Sequence, residues 1–86
     1  MSEVEVGKVT HYWGHIGVAG VHVGPKGFKV GDTVHILGHT TDLTQAVSSI
    51  QLEHESVQEA QPGQDVGVKV SEHVREHDTV FKLVEG

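Results

Sequence analysis

Eight histidines stand in a chain of 86 residues without cysteine, and five of them (His11, His15, His22, His35 and His39) lie in its first half. Neutral imidazole is a good zinc ligand, so a histidine-based metal site is the first chemistry to weigh. Spacing argues against it. On an extended strand His35 and His39 share a face but stand ~13 Å apart, at ~3.3 Å rise per residue. One zinc holds its ligands at about 2 Å, so this pair shares an ion only where Gly38 folds the chain back. Solvated surface histidines are the plainer reading. Nucleophilic catalysis has less to work with. The serines are Ser2, Ser48, Ser49, Ser56 and Ser71, none in a G-x-S-x-G elbow. The carboxylate pairs Glu53/Glu55 and Glu72/Glu76 sit in polar segments with no apolar pocket to shift their pKa values. The expectation is a chain that is not an enzyme and has no catalytic residue, metal or cofactor of its own.

A second chemistry is stacking. The run His11-Tyr12-Trp13-Gly14-His15 holds half of the aromatic residues, and Lys26 and Lys29 lie at the next turn. Tyrosine and tryptophan stack on bases, and imidazole and lysine contact phosphate. His11, Tyr12, Trp13, His15, Lys26 and Lys29 are therefore the candidate ligand or RNA contacts. The structural alternative is that Trp13 packs across one end of the core. The charge balance opposes nucleic acid: net −6 from 6 basic and 12 acidic residues, with no basic run. Protonating all eight histidines would carry the net charge to +2, and their ordinary pKa of about 6.5 places that change just below neutrality.

The elements that must position these residues are short and β-like. Eleven glycines and two prolines punctuate alternating runs, the pattern of a small all-β domain. Val4-Glu5-Val6 alternates, Gly7 interrupts, and Val9 to Trp13 resumes out of phase, as at a bulge or bend. Val18–Val23 forms the next strand and stops at Gly24-Pro25-Lys26-Gly27. Gly31-Asp32 turns into Thr33–Leu37, and Pro62-Gly63 turns into a strand over 65–71. A last strand spans Thr79–Val84. The segment Asp42–Gln61, free of glycine and proline, fits a helical stripe (Leu43, Ala46, Val47, Ile50, Val57) and a strand alternation (Ile50, Leu52, His54) equally well. Length and composition predict one domain over residues 1–86, with one core burying roughly 60–65% of the unfolded surface. The acidic start lacks the apolar run of a signal peptide, and no stretch nears the ~18 apolar residues of a membrane span. A cytoplasmic protein is the expectation.

FKVGDTVHILG over 28–38, VSSIQL over 47–52, VQEA over 57–60, QPGQDVGV over 61–68 and HDTVF over 77–81 follow one another in an order and spacing that resemble the second domain of translational GTPases, the β-barrel after the nucleotide domain of elongation factor Tu. The resemblance covers Val6 to Val84 and departs from the family pattern at His77, where that family usually has glycine. It implies a small closed, mostly antiparallel barrel of about six or seven strands, and it resolves Asp42–Gln61 toward strand. It implies a non-enzymatic binding module touching RNA, the ribosome or a translation-related protein. No phosphate loop of the G-x-x-x-x-G-K-[ST] type is present, so no GTP binding is expected. The alternatives are an accessory protein-interaction barrel outside translation and a histidine-based metal binder. In every case Val34, Ile36, Ile50, Val66, Val68 and Val80 are expected inward, with His35, Gln51 and Lys69 outward.

Overall fold

The computed structural model describes residues 2–85. Their regular elements are ten strands: β1 (Ser2–Trp13), β2 (Val18–Val23), β3 (Phe28–Lys29), β4 (Thr33–Leu37), β5 (Asp42–Ala46), β6 (Ile50–Leu52), β7 (Glu55–Val57), β8 (Glu59–Ala60), β9 (Asp65–Lys69) and β10 (Thr79–Val84). Eight form one sheet in the order β5-β4-β10-β1-β2-β9-β6-β7, and β3 pairs β8 separately. All the pairings are antiparallel. The all-β, mostly antiparallel expectation holds. The ladders do not draw the closed barrel of six or seven strands, because β5 and β7 each have a ladder partner on one side only. One side chain reaches across from the β5 edge. The Gln45 amide donates to the Lys69 carbonyl at 2.7 Å, and its oxygen accepts from the Ser71 N–H at 2.9 Å.

The long strand β1 is the spine. Its first half pairs with β10 and its second with β2, and the register slips between Glu5 and Gly7 against β10 and between Val9 and His11 against β2. A Cβ on Gly7 would lie 2.6 Å from the His22 carbonyl oxygen and 2.8 Å from Val21 Cγ1. Glycine there lets β2 approach while the strand bends, which is the physical content of the phase break in the sequence.

Alternation does the rest. Val34, Ile36, Ile50, Val66, Val68 and Val80 are all buried, with Val6, Val9, Val21, Val23 and Val47, in one core. Gln51 and Lys69 face solvent. His35 is only half outward, its side chain 17% exposed. The ambiguous segment is β5 to β8: Leu43, Val47, Ile50 and Ala60 are inward, and two hairpins consume the length a helix would have used. The turns follow their chemistry. Gly31 has φ 97° and Gly63 has φ 84°, both in the region that favours glycine, while Asp32 Oδ2 accepts the Lys29 N–H at 2.9 Å. Asp78, 5% exposed, accepts the Arg75 N–H at 2.8 Å, and its carboxylate rests against Gly38 where a Cβ would otherwise stand.

Truncating a fully buried aliphatic side chain costs about 2–5 kcal/mol, a large share of a small domain's stability. Ile36→Ala is expected to lose that much in urea unfolding. Gly38→Ala is expected to be destabilising too, because the added methyl displaces the Asp78 carboxylate and frees the Arg75 N–H. A melt of either variant that overlays the parent would contradict the packing described.

Candidate functional site

The outer face of the sheet carries a trench that follows from register. His11 on β1, Gly20 on β2, Gly67 on β9 and Gln51 on β6 stand in one lateral row across four strands. The two central members have no side chain, so the row has a gap floored by backbone. The flanking rows are Trp13–Val18–Lys69 and Lys8–His22–Asp65. The Trp13 ring leans into the gap: a Cβ on Gly20 would lie 3.1 Å from Trp13 Cζ3 and 3.1 Å from Thr10 Oγ1. Around the gap Trp13, Ile16, Val18, Thr10, Gln51, Glu53, His54 and Asp65 enclose a volume of about 510 Å³. Trp13 is 40% exposed and Ile16 50%, so Trp13 is no core residue.

Local structure holds these walls. The loop after β1 turns through Gly17 at φ 65°, with the Ile16 and Gly17 N–H groups donating to the Trp13 carbonyl. It is pinned to β9 by Lys69 Nζ donating to the Ile16 carbonyl at 2.8 Å and by the Val70 N–H donating to Gly17. The opposite lip is the two-residue turn between β6 and β7, where Leu52 pairs with Glu55 across Glu53 and His54.

The six residues singled out from sequence fall in different places. Trp13 walls the trench, with the His11 ring tilted against it at 4.5 Å between centroids. Tyr12 turns the other way and stacks on His73, also at 4.5 Å, in a second groove shared with His11, Val74, Arg75 and Glu76. His15 sits exposed on the β1–β2 loop. Lys26 and Lys29 line a third hollow with Lys82, Asp32 and Glu59. Of the other trench residues, the sequence points to Glu53 only as half of a carboxylate pair and to Gln51 only as an outward position, and gives His54 and Asp65 no role. The available signal was Gly20 and Gly67, each inside an alternating strand, where glycine marks a close approach. Among the described residues no three side chains of histidine, aspartate or glutamate gather as a metal site.

One titrating cluster stands elsewhere. His35 on β4 lies between two carboxylates, with Nδ1 2.8 Å from Glu3 Oε2 and Nε2 2.6 Å from Asp42 Oδ1. Only the imidazolium has donors on both nitrogens, so this geometry selects the charged ring. The bond to Asp42 and then that to Glu3 raise the His35 pKa above its ordinary value, against a smaller opposing effect of burial.

With this geometry in view, comparison with known proteins points away from translation. Over 84 residues the chain is 37% identical to an uncharacterized protease of Methanocaldococcus jannaschii, and over 82 residues it is 32% identical to a collagenase of Porphyromonas gingivalis. These stretches are 96% and 94% of this chain but 20% of either relative, so the chain spans about a fifth of the length of the curated relatives it matches. Among solved structures it superposes with TM-score 0.85 and 27% identity on the C-terminal domain of a Geobacillus thermoleovorans protein named as a U32 peptidase, covering 92% of this chain and 91% of that one. The selenomethionine variant of that domain gives 0.83. No protein-family model matches.

Two expectations are thereby corrected. The elongation-factor resemblance, with its RNA- or ribosome-binding function, gives way to a likeness to peptidase C-terminal domains. The expectation of a chain that is not an enzyme gives way as well, since the relatives are named protease and collagenase and point to an enzyme family. The accessory-barrel and metal-binder alternatives fare no better against these relatives. The physical reason is that the matching motifs are turn chemistry. Gly31 at positive φ, Asp32 closing its own turn and valines alternating into a core are demanded by any small antiparallel fold with these hairpins. As to localisation, no helix among the described residues is long and apolar enough to cross a membrane.

A group whose pKa is raised by folding contributes stability that is fully present below its unfolded value, about 6.5 for histidine, and is lost as pH rises through the folded value. The stability advantage of the parent over His35→Gln is therefore expected to be larger at about pH 6 than at about pH 9. Thermal melts of both proteins at the two pH values test this, the other seven histidines cancelling in the difference. An advantage that stays level or grows with pH would contradict the imidazolium clamp.

Proposed function

We propose that this chain serves peptide-bond hydrolysis as a β-domain of the kind found at the C-terminus of U32-type peptidases, where it engages the polypeptide to be cut. The observation that carries this reading is the likeness to that solved C-terminal domain over nine-tenths of both chains. Supporting it, the stretch matched in the M. jannaschii protease and the P. gingivalis collagenase is a domain-sized fifth of each. The trench suits the role, since an exposed tryptophan beside a side-chain-free floor offers a stacking surface that an extended chain can cross. We further propose that the sheet works as a closed barrel, a reading supported by the Gln45 side chain spanning from the β5 edge to Lys69 and Ser71. Closure would remove an edge on which a polypeptide substrate could otherwise add as a strand.

The direct test exchanges domains. In the P. gingivalis collagenase, deleting the matched fifth is expected to depress hydrolysis of gelatin at least about tenfold, a loss of roughly 1.4 kcal/mol of transition-state stabilisation. Replacing that fifth by this chain is expected to restore most of the rate. Gelatin hydrolysis unaffected by the deletion, or a chimera no better than the deletion, would overturn the proposal.

A further inference from the structure

The β6–β7 hairpin is built against local preference. Its two turn residues, Glu53 and His54, both have positive φ, 51° and 68°. A two-residue hairpin turn of this kind favours Asn-Gly or Gly-Gly, because a side chain at positive φ is strained. Elsewhere among the described residues glycine takes the left-handed positions Gly17, Gly27, Gly31 and Gly63, and a single side chain, His77 at φ 74°, takes another; two such residues in succession occur at this turn. At this lip the chain keeps two long polar side chains where glycine would cost less, and both line the trench. Strain retained at the edge of a groove is a pointer from geometry to function.

Charge says what the groove suits. Two carboxylates, Glu53 and Asp65, line it, and no lysine or arginine does among the described residues. The lysines of the two flanking rows are engaged elsewhere, Lys69 with the Ile16 carbonyl and Lys8 with the Thr79 hydroxyl. Asp65 Oδ1 lies 2.8 Å from His22 Nδ1 with its side chain still 75% exposed. Trp13 and Ile16 form the opposite, apolar wall, and Thr10 and Gln51 offer a hydroxyl and an amide between the two. The sheet backbone beneath Gly20 and Gly67 is already paired laterally, so strand addition on this floor is excluded. A ligand here must be read by stacking, by side-chain hydrogen bonds and by charge.

We infer that the trench is a subsite for an extended, proline-bearing polypeptide segment with a basic side chain, the proline ring lying on Trp13 and the lysine or arginine reaching Glu53 and Asp65. The inference rests on the reading of this chain as a polypeptide-engaging peptidase domain and specifies the substrate at that site. A polyproline II segment has no internal hydrogen bonds and loses little entropy on binding, and such segments are held against aromatic side chains lining a groove. The net charge of −6 favours approach of a cationic chain and disfavours an anionic one.

The test uses the chain itself and three short proline-rich peptides identical except for one position, carrying arginine, alanine or glutamate. Calorimetry at low salt is expected to rank them arginine, alanine, glutamate, with the arginine preference shrinking as salt is added. Trp13→Ala, an exposed position, is expected to weaken all three by roughly tenfold. Gly67→Val, which fills the floor, is expected to do the same. The double substitution Glu53→Asn with His54→Gly is expected to raise the melting temperature and to reduce the preference for arginine over alanine, the remainder resting on Asp65. Binding that ignores Trp13→Ala and Gly67→Val, equal affinity for the arginine and glutamate peptides, or a hairpin variant whose arginine preference is undiminished would each overturn the inference. So would the absence of binding to any peptide. An active collagenase chimera together with insensitive peptide binding would leave the peptidase reading standing and remove only the subsite. Peptide binding as described with an inactive chimera would do the reverse.

Discussion

The fold depends on one bend. A twelve-residue β1 has to serve β10 along its first half and β2 along its second, and it manages both by slipping register at Gly7, where His22 and Val21 approach too closely for any side chain. The strands on either side inherit their direction from that slip. On one side β10 brings in β4 and β5; on the other β2 brings in β9, β6 and β7. With neither half large enough to bury a core alone, the valines of both meet in a single cluster. A sheet that long has two ladder edges, β5 and β7, and the Gln45 side chain ties the first of them to the end of β9.

The same register makes the candidate site. Once β1, β2, β9 and β6 are aligned, Gly20 and Gly67 fall side by side in the centre of the outer face, and the tryptophan two positions along β1 from His11 has room to lie over them. A stable outer face would normally be filled by cross-strand pairs. Here the pair is Gly–Gly, which forgoes that packing, and the neighbouring hairpin forgoes glycine where glycine would relax it. Both departures run against stability and both open or furnish one groove, the pattern expected where selection acts on a surface rather than on the core. The His35 clamp is the opposite case. It ties β4 to the ends of β1 and β5 with charge and contributes to holding the first half of the sheet together.

Similarity to peptidase C-terminal domains fits an architecture of this kind. On the function proposed above, a furrow already formed in the sheet would leave the ordering cost to the polypeptide it holds. Turn motifs such as those at Gly31-Asp32 and Pro62-Gly63 report how such strands are joined and carry no information on what the outer face holds, since the two faces of a strand are independent in sequence.

Alternation and turn chemistry determined much from the sequence alone. The inward set Val34, Ile36, Ile50, Val66, Val68 and Val80, the break at Gly7, the turns at Gly31 and Gly63 and the strands β2, β4, β9 and β10 are all local consequences of period two and of φ > 0, and each was legible. The assignment of Asp42–Gln61 was not, because a stripe of Leu43, Val47 and Ile50 satisfies either period until β4 and β9 are present to pair with it. Nor could spacing reveal that Tyr12 and Trp13, adjacent in the chain, serve separate grooves, or that His35 would sit between carboxylates 32 residues before it and 7 after it. Those facts depend on which strands become neighbours and in what register. Register is set by long-range pairing, and that is a property of the folded sheet rather than of any segment of it.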